Sequence, residues 1–310
     1  MGIQSKGTTW SDEDYENQEE NVSAENKTDK EKNKVRLENI WVFYTNADSL
    51  MNKRQELQIR LNHLKTKPHV IAITEVKNKK SENINPAEFN IKGYSMYTND
   101  LQTCSRGVAI YVINTLKSKQ IYFESPFQEA VTVEIKGCED TLNISNIYRS
   151  PNSSVENNTC LKDLIRNICD NSLGKILMVG DFNLNDIDWE LGIANSVFSN
   201  SFIEVLRDNF LIQNVVSPTR ARGLDEPHLL DLVITNESYI EHIEHMSPLG
   251  KSDHSVLFIK CSCKIEPLPY RPKLNYEKGN YLAFKKYLSI NWEETFKSYN
   301  GDINSMWNFF

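Results

Sequence analysis

The stretch Lys175-Ile176-Leu177-Met178-Val179-Gly180-Asp181-Phe182-Asn183 decides how this chain is read. After Gly174 the residues up to Val179 form an almost unbroken apolar run, the pattern of a strand covered on both faces. Gly180 ends the run, and a carboxylate and an amide, Asp181 and Asn183, then share one strand-end loop. Loops at the carboxyl ends of central strands are where open α/β sheets bind ligands. Further on, Ser252-Asp253-His254 shows the reverse order, preceding the strand Ser255-Val256-Leu257-Phe258-Ile259. A third acid, Asp231, opens Leu232-Val233-Ile234, and a fourth, Glu75, closes Val70-Ile71-Ala72-Ile73-Thr74. Four acids and a histidine therefore stand at strand termini.

Taken singly, an Asp after a strand is a turn former or helix cap, a Glu there is solvated, and a histidine is a satisfied structural group. Their co-occurrence carries the weight. No packing argument requires so many ionisable groups at the ends of apolar strands, and clustered acids repel unless a cation joins them. The pattern calls for a metal and for chemistry on a charged substrate.

Further motifs stand in a fixed order with these: Asn46 in Tyr44-Thr45-Asn46-Ala47-Asp48, Glu75 in Ile73-Thr74-Glu75, and Tyr148 in Tyr148-Arg149-Ser150-Pro151-Asn152. Gly180-Asp181-Phe182-Asn183, Leu230-Asp231 and Ser252-Asp253-His254 then follow. In this order, over residues 37 to about 263, the chain resembles the endonuclease/exonuclease/phosphatase superfamily, which includes DNase I, the apurinic endonucleases and the inositol 5-phosphatases. A narrower likeness lies in the Gly180 to Trp189 segment GDFNLNDIDW, in Ser217-Pro218-Thr219-Arg220 ahead of Leu230 to Asn236, and in the Asn46 to Leu57 segment NADSLMNKRQEL. These resemble the endonuclease domain of non-LTR retrotransposon polyproteins, which also carry a reverse transcriptase.

The resemblance implies a DNase I-like α/β fold, a four-layered αββα sandwich; spacing alone gives only α/β. It also implies a metal-dependent phosphodiesterase that nicks DNA, leaving a 3′-hydroxyl from which reverse transcription starts. By the same resemblance Glu75 binds Mg²⁺, or Mn²⁺, with Asn46 and Asp48 beside it, and Asp253 holds the metal or supports the site. Asp181 orients or deprotonates the attacking water, with His254 the alternative group to move the proton. Asn183 and Tyr148 donate to the phosphate, and His254 contacts it with Asp231 fixing its tautomer. The alternatives are an apurinic endonuclease, a phosphoinositide phosphatase, which should show basic head-group determinants, and a non-catalytic domesticated binding protein. The expected partners are DNA and a reverse transcriptase domain of the same polyprotein, with action in the nucleus.

Composition is compatible with this. A chain of 310 residues with 39% hydrophobic content can bury one large core. No apolar stretch is long enough to span a membrane and no secretion signal stands at the amino end, so no membrane role is expected. The six cysteines, Cys104, Cys138, Cys160, Cys169, Cys261 and Cys263, include no CxxC pair and read as free thiols of a reducing compartment. The net charge of −7 is unusual for a DNA enzyme. Residues 1 to 36, however, carry nine acids and six bases, net −3, leaving −4 for the rest. Asp48, Glu75, Asp181, Asp231 and Asp253 supply −5 of that remainder, so the body outside the site is near +1.

Along the chain, residues 1 to 36 are polar, lack an apolar period and read as a disordered tail. Asp48 to Lys65, with Leu50, Leu57, Leu61 and Leu64 at helical spacing, predicts a helix ended by Pro68. Gly93 to Ile147 reads as short strands, and Leu161 to Cys169 and Phe202 to Phe210 as amphipathic helices. Residues 264 to 310 form a connector with Tyr281, Phe284, Tyr287, Trp292, Phe296 and Trp307, similar to the segment leading to the polymerase in such polyproteins. It is expected to leave apolar surface exposed.

Overall fold

Apolar strands build two mixed sheets that share one core between them. The computed structural model describes residues 37–78, 85–137, 139–223, 225–265, 267–268, 280–289 and 291–297. The amino-terminal tail, Cys138 and Trp307 to Phe310 lie outside them. The chain divides into two compact units, Met1–Leu268 and Pro269–Phe310.

In the first unit the strands begin with β1 (Leu37–Asn46), β2 (Val70–Thr74), β3 (Tyr94–Thr98), β4 (Val108–Ile113), β5 (Ser118–Ile121), β6 (Ala130–Lys136) and β7 (Thr141–Tyr148). They continue with β8 (Lys175–Asp181), β9 (Ile187–Asp188), β10 (Ile193–Ala194), β11 (Ile212–Gln213), β12 (Asp231–Thr235), β13 (Ile240–Met246) and β14 (Val256–Ile265). One sheet has the order β13-β14-β1-β2-β4-β3, the other β11-β12-β8-β7-β6-β5, and β9 and β10 form a small hairpin. Helices α1 (Arg54–His63), α2 (Val155–Asn171) and α3 (Val197–Asp208) belong to this unit.

Successive residues of a strand point to opposite faces, and both faces here are covered. Ile40, Val42 and Tyr44 of β1 join Leu177 and Val179 of β8 in the core between the sheets. Phe43 of β1 instead packs with Leu57 and Leu61 of α1. Ile176 and Met178 of β8 pack with Leu161 and Ile165 of α2 and Phe202 of α3. Burying a leucine of this kind contributes about 1.5–3 kcal/mol. The result is an αββα sandwich of the DNase I type, as the resemblance implies.

Helix boundaries differ from those read off the sequence. Asp48 and Ser49, with φ of 39° and 72°, start no helix; Leu50–Asn52 forms only a 3₁₀ turn, and Lys53, with φ of −118°, separates it from α1. α2 begins earlier than Leu161, where the Ser154 side chain accepts from Asn157 N and caps its first turn. α3 stops at Asp208, since Phe210 has φ of 54° and stands exposed. Cys261 and Cys263 share the inner face of β14, and these two, with Cys104, Cys160 and Cys169, are free thiols. In the second unit the described residues form α4 (Tyr281–Leu288) and α5 (Trp292–Lys297), with Tyr281, Leu282, Phe284 and Leu288 exposed. No described helix is long and apolar enough to cross a membrane.

Strand direction places the site. β1 and β2 run parallel, as do β7 and β8, so Asn46, Glu75, Tyr148 and Asp181 leave their strands at one edge of the sandwich. β14 is antiparallel to β1 and β12 to β8, which brings their beginnings, next to His254 and at Asp231, to that same edge.

Asn146 ties the sheets just beneath it. Its buried amide on β7 donates to the carbonyls of Ile73 on β2 and Ala109 on β4 at 2.8 and 3.0 Å. Gly180 is required by close approach, because a Cβ there would collide with the carbonyl oxygen of Ile147, its register partner on β7. Gly180→Ala is therefore expected to cost about 2–3 kcal/mol of stability, read from the urea unfolding midpoint. An unshifted midpoint would mean that β7 and β8 separate freely.

Candidate active site

Three residues with φ above zero line one cavity of about 500 Å³, and a fourth, Ser49, directly follows one of them. They are Asp48, Ser49, Glu75 and Asn183, with φ of 39°, 72°, 54° and 50°. Non-glycine residues avoid this region, at a cost of about 1–3 kcal/mol each, and persist there only where the surroundings impose it. Ala47 N and Ser49 N donate to the carbonyls of Thr74 and Glu75 at 3.0 and 2.9 Å, so the loops after β1 and β2 hold each other in that shape.

Eight of the nine residues picked from the sequence line the cavity: Asn46, Asp48, Glu75, Tyr148, Asp181, Asn183, Asp253 and His254. The ninth, Asp231, is fully buried behind His254 and receives its Nδ1 at 2.7 Å. The other Asp231 oxygen accepts from the Tyr44 hydroxyl at 2.6 Å. Asp231 is the register partner of Asp181 across the β12–β8 pair, so two buried carboxylates stand side by side.

Hydrogen bonds settle how Asp181 is held. Asn46 Nδ2 donates to Asp181 Oδ2 at 2.9 Å and to Glu75 Oε1 at 3.1 Å, while Asn46 Oδ1 accepts from Asp48 N at 2.9 Å. Only one orientation of the amide serves two carboxylates and an N–H together. Asn183 N donates to Asp181 Oδ1 at 3.1 Å, and Asn183 Nδ2 donates to Arg149 O at 2.9 Å. Burial, followed by the neighbouring Asp231 charge, raises the Asp181 carboxyl well above the ordinary carboxylate range, while His254, Asn46 and Asn183 pull it back. For His254 burial alone acts to lower the pKa, but Asp231, Asp181 and Asp253 overcome it and raise the ring to about 9. The imidazolium form prevails at neutral pH, with Nε2 4.0 Å from Asp181 Oδ2 and 3.7 Å from Asp253 Oδ1. Burial also pushes the Tyr148 phenol up to about 12, which keeps it a proton donor.

Two places can be tested for a metal. Ligand atoms of Asp181, Asp231 and His254 lie within 4.8 Å of one another, close enough to hold an ion. All four oxygens of these two aspartates are already hydrogen-bonded, and His254 Nδ1 is committed to Asp231. On the other wall, the carboxylates of Asp48 and Glu75 both meet Arg106 Nη2, at 2.8 Å for Asp48 Oδ1. Hard oxygens already gathered round one cation suit a divalent ion such as Mg²⁺ or Mn²⁺. The second set is the more open of the two, its Asp48 side chain 58% exposed, and an ion there would take the place of Arg106. Asp253 is engaged elsewhere, by Arg220 Nε and Nη2 at 3.0 and 2.9 Å.

Several residues at the site were not singled out from sequence. Besides Tyr44 and Arg106, Thr219 Oγ1 accepts from the backbone N–H groups of Leu230 and Asp231, and Ser252 Oγ donates to Asn46 O at 2.8 Å. Glu129 accepts the N–H groups of Ser105, Arg106 and Gly107 and so fixes the Arg106 loop. Thr219 and Ser252 fall within the Ser217–Arg220 and Ser252–His254 motifs, but the tasks of all five depend on partners elsewhere in the chain. Arg149 lies buried over the Phe198 ring, 4.8 Å from its centroid, and donates to the carbonyls of Phe182 and Asn183. It props the Asp181–Asn183 turn from beneath. Arg222 lines the cavity, and Trp189 packs against the α2 and α3 core.

Residues 142–258 match a family model described as endonuclease-reverse transcriptase. No curated protein matches the chain. The endonuclease domain of TRAS1, a telomere-specific non-LTR retrotransposon, superposes with a TM-score of 0.57 at 16% identity, covering 73% of this chain and 99% of that one. The 3′ phosphatase NExo from Neisseria, bound to a product DNA hairpin, gives 0.56 at 15%, covering 71% and 98%. The AP endonuclease LMAP from Leishmania major gives 0.57 at 13%, covering 73% and 88%. At these identities the likeness shows the fold, an α/β sandwich of the DNase I type. The chain resembles the endonuclease/exonuclease/phosphatase superfamily, whose members hydrolyse phosphoesters, and within it the retrotransposon endonucleases.

The raised His254 pKa sets a pH dependence. A ring that titrates at 6.5 when unfolded and at about 9 when folded contributes stability that is full below about 6.5 and is lost as pH rises through about 9. Asp231→Asn removes the leading charge that holds the ring up. An NMR titration of His254 is expected near 9 in the wild type and far lower in the variant; equal values would show that Asp231 does not control it.

Proposed function

We propose that this protein is a divalent-metal-dependent phosphodiester hydrolase that nicks DNA, an endonuclease of the non-LTR retrotransposon type. One observation carries the reading: a single cavity has a proton-accepting carboxylate and a buried acid–histidine pair on one side and a gathered set of hard oxygen ligands on the other.

In-line attack of water on a phosphodiester builds negative charge on the phosphoryl oxygens and on the leaving oxygen. Glu75 and Asp48, with the Asn46 amide beside them, hold Mg²⁺ or Mn²⁺ in this reading. When bound, the ion supplies Lewis-acid stabilisation of the developing charge. Asp181, its oxygens aimed by Asn46 and Asn183, orients the water and takes its proton; its raised affinity for protons suits it to do so near neutrality. His254 offers a charged Nε2–H to the phosphate, and Tyr148 a neutral hydroxyl. Asn185, Arg220, Arg222 and His228 border the cavity where flanking DNA is to be accommodated. With the body near neutral outside the site, affinity for DNA is expected to be weak and salt-sensitive unless a basic partner domain assists. In this reading the nick exposes a 3′-hydroxyl for a reverse transcriptase, reached through the segment after residue 263, and the protein acts in the nucleus.

Nicking of supercoiled plasmid tests this. Relaxation is expected with Mg²⁺, none with EDTA, and a loss of at least about 10³-fold in Asp181→Ala and in His254→Ala. The kcat/KM profile should fall on the alkaline side near pH 9, where His254 loses its proton. An oligonucleotide carrying one abasic site is run in parallel. Cleavage of that substrate alone transfers the assignment to abasic-site repair, and no cleavage of either by folded protein overturns the nuclease reading.

A further inference from the structure

One polar group touching the acid–histidine pair has no task in the reaction just described: the Tyr44 hydroxyl. Tyr44 is completely buried in β1 and packs in the core between the sheets, where an aliphatic side chain would suffice. A phenol buried there is costly unless its hydroxyl is paired. It is paired twice, at 2.6 Å to Asp231 Oδ1 and at 3.2 Å to Thr74 Oγ1.

The direction of these bonds follows from chemistry. An ionised carboxylate can only accept, so Tyr44 donates to Asp231 and must itself accept from Thr74. Asp231 Oδ2 is taken by His254 Nδ1 at 2.7 Å, and the carboxylate has no exposure to water that could replace a lost donor. The chain of bonds runs from Thr74, next to Glu75, through Tyr44 and Asp231 to His254, and so crosses from one sheet to the other and back.

We propose that Tyr44 is a positioning residue: its hydroxyl, oriented by Thr74, locks the Asp231 carboxylate so that His254 presents Nε2 to the cavity. The catalytic part of this rests on the reading of His254 as the phosphate contact. Tyr44→Phe keeps the ring in the core and removes a single oxygen. It leaves one Asp231 oxygen buried without a donor and the carboxylate free to turn. The expected loss is about 10- to 100-fold in kcat, the usual effect of removing an outer-shell hydrogen bond to a charged group, with KM for DNA nearly unchanged.

The test uses the full chain with Tyr44→Phe, His254→Ala and the double variant. Residual cleavage is measured in single turnover with enzyme in excess, and the His254 Nδ1–H resonance is followed in ¹⁵N-labelled wild type and Tyr44→Phe. A positioning role requires that the Tyr44→Phe loss vanish in the His254→Ala background, and that the Nδ1–H signal shift and exchange faster with water in Tyr44→Phe. Thr74→Val should reproduce a smaller loss of the same kind. An equal loss in both backgrounds, or unchanged cleavage and an unchanged Nδ1–H signal, overturns the proposal. If the wild type cleaves no phosphodiester at all, the hydrolase reading falls, and the Nδ1–H comparison alone still decides whether Tyr44 orients the pair.

Discussion

The site depends on a pairing that is unfavourable by itself: Asp181 and Asp231 face each other in register on neighbouring strands, both removed from water. Two buried like charges in contact repel, and each loses its hydration. The arrangement is tolerable because every carboxylate oxygen finds a donor: Asn46 and Asn183 for Asp181, Tyr44 and His254 for Asp231. Asn46 and Tyr44 come from β1 of the opposite sheet, and His254 precedes β14 of that sheet. The two sheets must therefore close on one another before the acids are satisfied, and the same hydrogen bonds that make the site join the halves of the sandwich.

Compensation by histidine has an electrostatic consequence. The two acids raise the proton affinity of His254, and the imidazolium in turn limits the rise at Asp181. Acid and base are thus poised by each other, with burial strengthening the interaction. On the opposite wall Glu75 and Asp48 meet a different cation, Arg106, whose loop is gripped by Glu129. The Asn46 amide joins the two sides of the cavity, donating to Asp181 on one and to Glu75 on the other.

Strain and close approach concentrate at the same edge. Asp48, Glu75 and Asn183 adopt left-handed backbone conformations, and Gly180 is needed for strand contact one residue before Asp181. Backbone of this kind survives only when over-determined. Arg149 shows what supplies the support, since its buried guanidinium binds the carbonyls of the Asp181–Asn183 turn instead of facing solvent.

Much of this was legible in the sequence, because local pattern carries local information. Apolar runs with charged ends marked β2, β8, β12 and β14, and the polar motifs at their termini named Glu75, Asp181, Asp231 and His254, eight of the nine selected residues proving to line one cavity. Ordered motifs, through their resemblance to a known superfamily, added the sandwich fold, which periodicity alone leaves at α/β. Tertiary structure alone decided what depends on distant partners: that Tyr44 and not only Asp231 stands behind His254, that Arg106 meets Asp48 and Glu75, that Asp253 is bound by Arg220, and that Arg149 is internal. A strand's own residues fix which face each side chain takes, but not which strand lies opposite. Burial, and with it the proton affinity of His254 and Asp181, exists only once the two sheets have met.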